Sequence, residues 1–92
     1  MTSRQLERKY IELQEAIREI PGGVKCADDP SLFFPDELVG SYADRKDVSN
    51  QAKAICSQCP VRLRCFDYAL SAHMVGIWGG TTTEERTRLR SS

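Results

Sequence analysis

The sequence has no apolar stretch approaching the roughly 20 residues that a membrane-spanning helix requires. Net charge is missing too. Thirteen basic side chains cancel 13 acidic ones, so the chain as a whole exerts no electrostatic pull on DNA or on an anionic membrane. Histidine is reduced to His73 alone, and a single histidine at a helix end is expected to cap or face water rather than bind metal. Residues 1–20 are charged throughout and lack the apolar centre of a signal peptide. That predicts a cytoplasmic protein whose thiols are kept reduced, which counts against two structural disulfides. Size is scarce as well. Ninety-two residues, 40% of them apolar, make one small domain with a modest core. Below about 70–80 residues such a core rarely supplies more than about 3–5 kcal/mol, so a further staple is expected.

Cysteine is what the chain does have. Cys26, Cys56, Cys59 and Cys65 follow the pattern C-x29-C-x2-C-x5-C. One remote and three local thiolates can close a tetrahedral metal site or an iron–sulfur site. Zinc usually draws on two close-spaced pairs, and here only Cys56 and Cys59 form one. Iron–sulfur clusters accept irregular spacings provided the loops can wrap the cofactor. A third reading is thiol–disulfide exchange through Cys56-Ser57-Gln58-Cys59, although the strand–helix context of a thioredoxin motif is missing. Spacing alone leaves all three open.

The rest of the pattern is helical. Leu6, Tyr10, Leu13, Ile17 and Ile20 form one stripe. Thr2 and Gln5 resemble a capping box, and Pro21-Gly22-Gly23 stops the helix. Residues 24–48 read as irregular, punctuated by Asp29-Pro30 and Phe34-Pro35. Six acids (Asp28, Asp29, Asp36, Glu37, Asp44, Asp47) make residues 25–50 acidic. Ser49 or Asn50 is predicted to cap a second helix. Pro60 is expected in the first turn of a third, which runs to about His73 and is covered on both flanks by Val61 and Ala69 and by Leu63, Phe66 and Leu70. Thr81-x-x-Glu84 and Thr82-x-x-Glu85 each offer a capping box for a last helix through Arg90. Glycines at 76, 79 and 80 permit positive φ and would let the turn project Trp78.

Cys26, Phe33-Phe34-Pro35, Cys56-x-x-Cys59-Pro60-Val61 with Cys65, and Gly76-Ile77-Trp78-Gly79-Gly80 together resemble the WhiB-like family of actinobacteria and their phages. The resemblance divides the chain into an N-terminal helical extension, residues 1–23, and a family domain, residues 24–92, with a short basic tail. It implies a small all-α domain of four to five helices around a [4Fe-4S] cluster held by Cys26, Cys56, Cys59 and Cys65. It further implies a non-catalytic transcription regulator, responsive to oxygen and nitric oxide, that binds region 4 of the primary sigma factor of RNA polymerase. Trp78 would be the sigma contact, with Gly76, Gly79 and Gly80 shaping its turn and Phe33 and Phe34 beside it. No membrane and no small-molecule substrate enter that picture. Arg86, Arg88 and Arg90 would add a weak, sequence-independent attraction to phosphate, with promoter DNA met mainly inside the polymerase complex.

Overall fold

The computed structural model describes residues 2–28, 30–35 and 40–91, so Asp29, Asp36 and Glu37 of the acidic stretch lie outside the described residues. Thr2 opens helix α1, Ser3–Arg18, with a complete capping box. Its hydroxyl accepts from the Gln5 N–H at 3.3 Å, and Gln5 Oε1 accepts from the Thr2 N–H at 3.0 Å. Two orphan donors are satisfied at once.

Helix α2, Tyr42–Ser57, begins earlier than the predicted Ser49 or Asn50. Ser41 is the cap, its hydroxyl accepting from the Asp44 N–H at 3.1 Å. The extra turns bury little, and Tyr42 is 74% exposed. Without an apolar period to mark them, they are set by the cap and local propensity.

Helix α3 spans Arg62–Ala72, and Pro60 lies just before it. His73 closes it in the left-handed region, φ 55°, an exposed capping position as expected of a lone histidine. Burial on both flanks holds only in part: Val61 and Ala69 are buried, but Leu63 is 72% exposed. Among the described residues, nothing covers Leu63 on the outer face of that first turn.

Helix α4, Thr83–Ser91, uses the second of the two candidate boxes. The Thr82 N–H donates to Glu85 Oε1 at 2.9 Å, and the Glu85 N–H to Thr82 Oγ1 at 3.1 Å. Thr81 is engaged elsewhere, in an isolated antiparallel bridge with Trp78. Short 3₁₀ turns occupy Lys25–Ala27 and Pro30–Phe33. Among the described residues there are four helices and no strand, an all-α domain. None of the helices is long and apolar enough to cross a membrane.

Phe33, Ala52, Cys56 and Ile77 form the core, with Cys26, Leu32 and Ile55 packed on it. Helix α1 lies along α3, where Lys9 Nζ reaches Asp67 at 2.8 Å and Ser71 Oγ at 3.0 Å. Tyr10 meets Tyr68 at 5.5 Å between ring centroids. Helices α2 and α4 are joined by Lys53 and Glu85 at 3.0 Å. The Arg90 guanidinium donates to the Leu70 carbonyl at 3.0 Å, tying α4 to α3. The molecule measures 38 × 35 × 18 Å. Its short axis is under two helix diameters, so each interior group lies within one layer of solvent.

Candidate metal centre

Each cysteine arrives on a different piece of backbone. Cys26 sits in the first 3₁₀ turn, Cys56 at the end of α2, Cys59 in the link that follows and Cys65 inside α3. The link is fixed by the Cys59 N–H donating to the Cys56 carbonyl at 3.0 Å and the Arg62 N–H donating to the Cys59 carbonyl at 3.2 Å. All four cysteines are free thiols. All four line one cavity of about 420 Å³. Among the described residues, no three Cys, His, Asp or Glu side chains converge on a point as ligands of one metal ion would. A tetrahedral zinc ion needs its sulfurs about 2.3 Å from a common centre. Four soft sulfur donors around one cavity have the chemistry to hold a metal ion or a metal–sulfur cluster.

The thiols affect one another. Burial pushes Cys65 up to about 12, and the charges of Cys56, Cys26 and Cys59 push the same way. Burial also raises Cys26, with Cys59 and Cys56 adding to it. Cys56 is raised by burial against the opposing Gly80 N–H. Such a set resists ionisation without a cation to share its charge. The Gly79 N–H favours the thiolate at both Cys56 and Cys65. The tryptophan turn thus sets its N–H dipoles where they favour charge on the sulfurs, and N–H groups beside sulfur ligands tune metal–sulfur centres.

That turn is held by its backbone. Trp78 and Thr81 exchange N–H···O bonds of 3.0 Å each, and the Ile77 N–H donates to the Phe33 carbonyl at 2.8 Å. Gly76 and Gly79 are irreplaceable here on steric grounds. A Cβ on Gly76 would lie 2.6 Å from the Phe33 carbonyl oxygen, and one on Gly79 would lie 2.5 Å from that of Arg62. Gly79 also has φ +57°. Gly79→Ala is therefore expected to destabilise the domain by at least about 2 kcal/mol, combining left-handed strain with the clash. Gly80→Ala, whose nearest neighbour would be 3.7 Å away, should cost about 1 kcal/mol from its φ alone. Urea midpoints of the two variants measure the difference, and equal midpoints would contradict the steric argument.

The expected contact residues divide. Trp78 is half-buried, its indole N–H donating to the Val75 carbonyl at 3.0 Å and its ring 6.0 Å from that of Tyr68. Phe34 is 37% exposed, whereas Phe33 is buried in the core and cannot present its ring to a partner. Gly76 is buried beneath Phe34.

The arginines divide as well. Arg88 is exposed and lines a wider cleft of about 890 Å³ between α2 and α4. Arg90 is half-buried and partly engaged with Leu70. Arg86 is completely buried, so the expectation that it touches DNA is corrected. Its guanidinium donates to the carbonyls of Thr81 at 2.6 Å, Gly76 at 2.6 Å and Met74 at 2.9 Å, and to Thr81 Oγ1 at 3.0 Å. These acceptors bracket the tryptophan turn. A basic tail gave no sign of this in the sequence.

Known proteins are similar to this chain in sequence. The profile of the family described as Transcription factor WhiB matches residues 23–89. Transcriptional regulator WhiB2 of Mycobacterium tuberculosis is 47% identical over 68 residues, covering 71% of this chain and 66% of its own. Transcriptional regulator WhiB of Streptomyces coelicolor is 42% identical over 69 residues, 73% of this chain and 70% of its own. Transcriptional regulator WhiB1 of M. tuberculosis is 39% identical over 67 residues, 71% and 76% respectively. The matched segment contains all four cysteines, the aromatic pair and the whole tryptophan turn, and on that ground the chain belongs to the WhiB family of transcription factors.

Proposed function

We propose that this chain is a cytoplasmic transcription regulator that holds a [4Fe-4S] cluster on Cys26, Cys56, Cys59 and Cys65 and acts by docking on region 4 of the primary sigma factor. The observation that carries the reading is the single cavity lined by all four thiols and by Trp78. When bound, such a cluster would supply an oxidisable iron–sulfur centre with which small oxidants and nitric oxide can react. The chain's own residues do the rest. The four thiolates would hold the group, the Gly79 and Gly80 N–H groups would meet the sulfurs, and Arg86 fixes the turn that joins this pocket to the surface. Loss of the cluster would then be felt at Trp78 through the same short backbone segment. The raised Cys26, Cys56 and Cys65 thiols are poor exchange nucleophiles in the absence of a cation, because exchange needs the thiolate, whereas a bound cation would supply the charge that lets them ionise as ligands.

Trp78 and Phe34 supply the exposed aromatic surface of the docking face. A large ring on a backbone-held turn makes a good anchor, since little conformational freedom is lost on binding. Arg88 is the better placed of the tail arginines for phosphate, with Arg90 secondary, and any DNA attraction is weak and salt-sensitive. Promoter DNA would be met within the polymerase complex.

Trp78→Ala tests this directly. Because the turn is closed by main-chain bonds and by Arg86, removing the ring should leave iron content and helicity near normal. Binding to isolated sigma region 4 should weaken by about 2 kcal/mol or more, as for a central aromatic anchor. Calorimetry decides the affinity and circular dichroism the fold. Loss of helicity with the ring would make Trp78 a core residue and remove it from the docking face.

A further inference from the structure

Helix α1 lies wholly outside the segment that matches the family, residues 23–89. Yet Leu13, Gln14 and Ile17 of this helix, with Ile20 just beyond its end, line the same cavity as the four cysteines. The helix is anchored rather than loosely laid there. Leu13 is 2% exposed, Lys9 bridges Asp67 and Ser71, and Tyr10 packs on Tyr68. In a slab only 18 Å thick, one helix is enough to decide whether the cavity meets water on that side.

We propose that α1 is the access wall of the cysteine cavity, and that Leu13, Ile17 and Ile20 determine which solutes reach it. The inference rests on the cluster reading above. An aliphatic wall lets small neutral molecules such as dissolved oxygen partition through side-chain fluctuations. It excludes bulky or charged reagents, because burying an unpaired charge against apolar groups is strongly unfavourable. Reaction with such reagents requires α1 to lift away, a local opening governed by its anchors. The extension therefore gives this chain a selectivity that residues 24–92 would not have by themselves.

The experiment uses the full, cluster-loaded protein and follows loss of visible absorbance under excess ferricyanide, a bulky trianion, and separately under air. The same rates are measured for a chain lacking residues 2–20. The expected result is ferricyanide bleaching faster by about tenfold or more in the shortened chain, as for removal of a gating opening step, with a smaller change under air. Equal ferricyanide rates, with the colour retained, would overturn the proposal. If the shortened chain does not hold the cluster, the Lys9→Ala, Tyr10→Ala double variant decides instead. It loosens the anchors and leaves the wall intact, and faster ferricyanide bleaching supports the proposal while an unchanged rate overturns it. A wild-type protein that is colourless after anaerobic purification fails the cluster reading. The wall is then judged by the rate at which a bulky maleimide labels the thiols of that protein. Faster labelling of the shortened chain supports it, and equal labelling overturns it.

Discussion

Arg86→Met should lower the melting temperature by roughly 20 °C or more, a larger effect than a substitution at an exposed position of the same helix. The methionine has similar volume and fits the channel, so the loss comes from polar groups and not from a cavity. Four hydrogen bonds disappear, and the carbonyls of Met74, Gly76 and Thr81 lose their charged donor, although the Thr81 carbonyl keeps the Trp78 N–H and the Gly76 carbonyl the Thr83 hydroxyl at 3.5 Å. A buried acceptor stripped of its donor costs about 1–3 kcal/mol, and removing one side of a buried charged network about 3–5 kcal/mol in total. A domain this small has little more than that to lose. Burial and the neighbouring Arg90 push the Arg86 guanidinium down, while Cys65, Glu84 and Glu85 push it up; an arginine nevertheless stays charged in proteins. Its Nε is buried with no hydrogen-bond partner among the described residues, so among them the site is satisfied at its two outer nitrogens. Arg86→Lys should recover part of the loss, since an ammonium reaches one or two of the carbonyls without the fork. Melting followed by circular dichroism checks both. A methionine variant within about 3 °C of wild type would mean that the turn stands without the clamp.

Arg86 also shows where sequence reasoning fails in this fold. Hydropathy would bury Leu89 and solvate the arginines of α4, but Leu89 is 52% exposed and Arg86 is fully buried. The acceptors that demand a cation are main-chain carbonyls of a tight turn, and carbonyls leave no mark in side-chain composition. The start of α2 was obscured for a related reason. Residues 42–51 carry no apolar stripe, and the usable signal was only Ser41 with Asp44 three residues on. By contrast α1 was legible from its stripe and its capping box, and α4 from Thr82 and Glu85. Spacing brought the four cysteines together without saying what they hold, and the glycines beside Trp78 signalled the close backbone approach found at Gly76 and Gly79. What spacing could not supply was the volume the thiols enclose, because that depends on α1, which approaches from outside the motif. Phe33 and Phe34 are neighbours of the same type, yet opposite in fate. The Pro30–Phe33 turn directs one into the core beside Ala52 and leaves the other over Gly76.

Cys26→Ala, Cys56→Ala, Cys59→Ala and Cys65→Ala are each expected to abolish stable cluster binding and to loosen the whole fold. The reason lies in how the four pieces of backbone meet. The first 3₁₀ turn, the end of α2, the link after it and α3 converge on one cavity, and the core of Phe33, Ala52, Cys56 and Ile77 is too small to hold them securely alone. Ligand binding energy is then also folding energy. Without a bound group, the buried thiols gain nothing from one another, since each ionised sulfur disfavours the next. Cys56→Ala should be the most damaging to the fold, because Cys56 is both a proposed ligand and a buried core residue. Cys59→Ala should spare more helicity, since its side chain lies outside that core. Iron, acid-labile sulfide and helical circular dichroism measured on each variant decide the matter. Full occupancy in any one variant would remove that cysteine from the ligand set. Stoichiometric zinc without sulfide in the wild type would replace the cluster with a single ion, and would require the four thiols to close inward from the positions they occupy around the cavity.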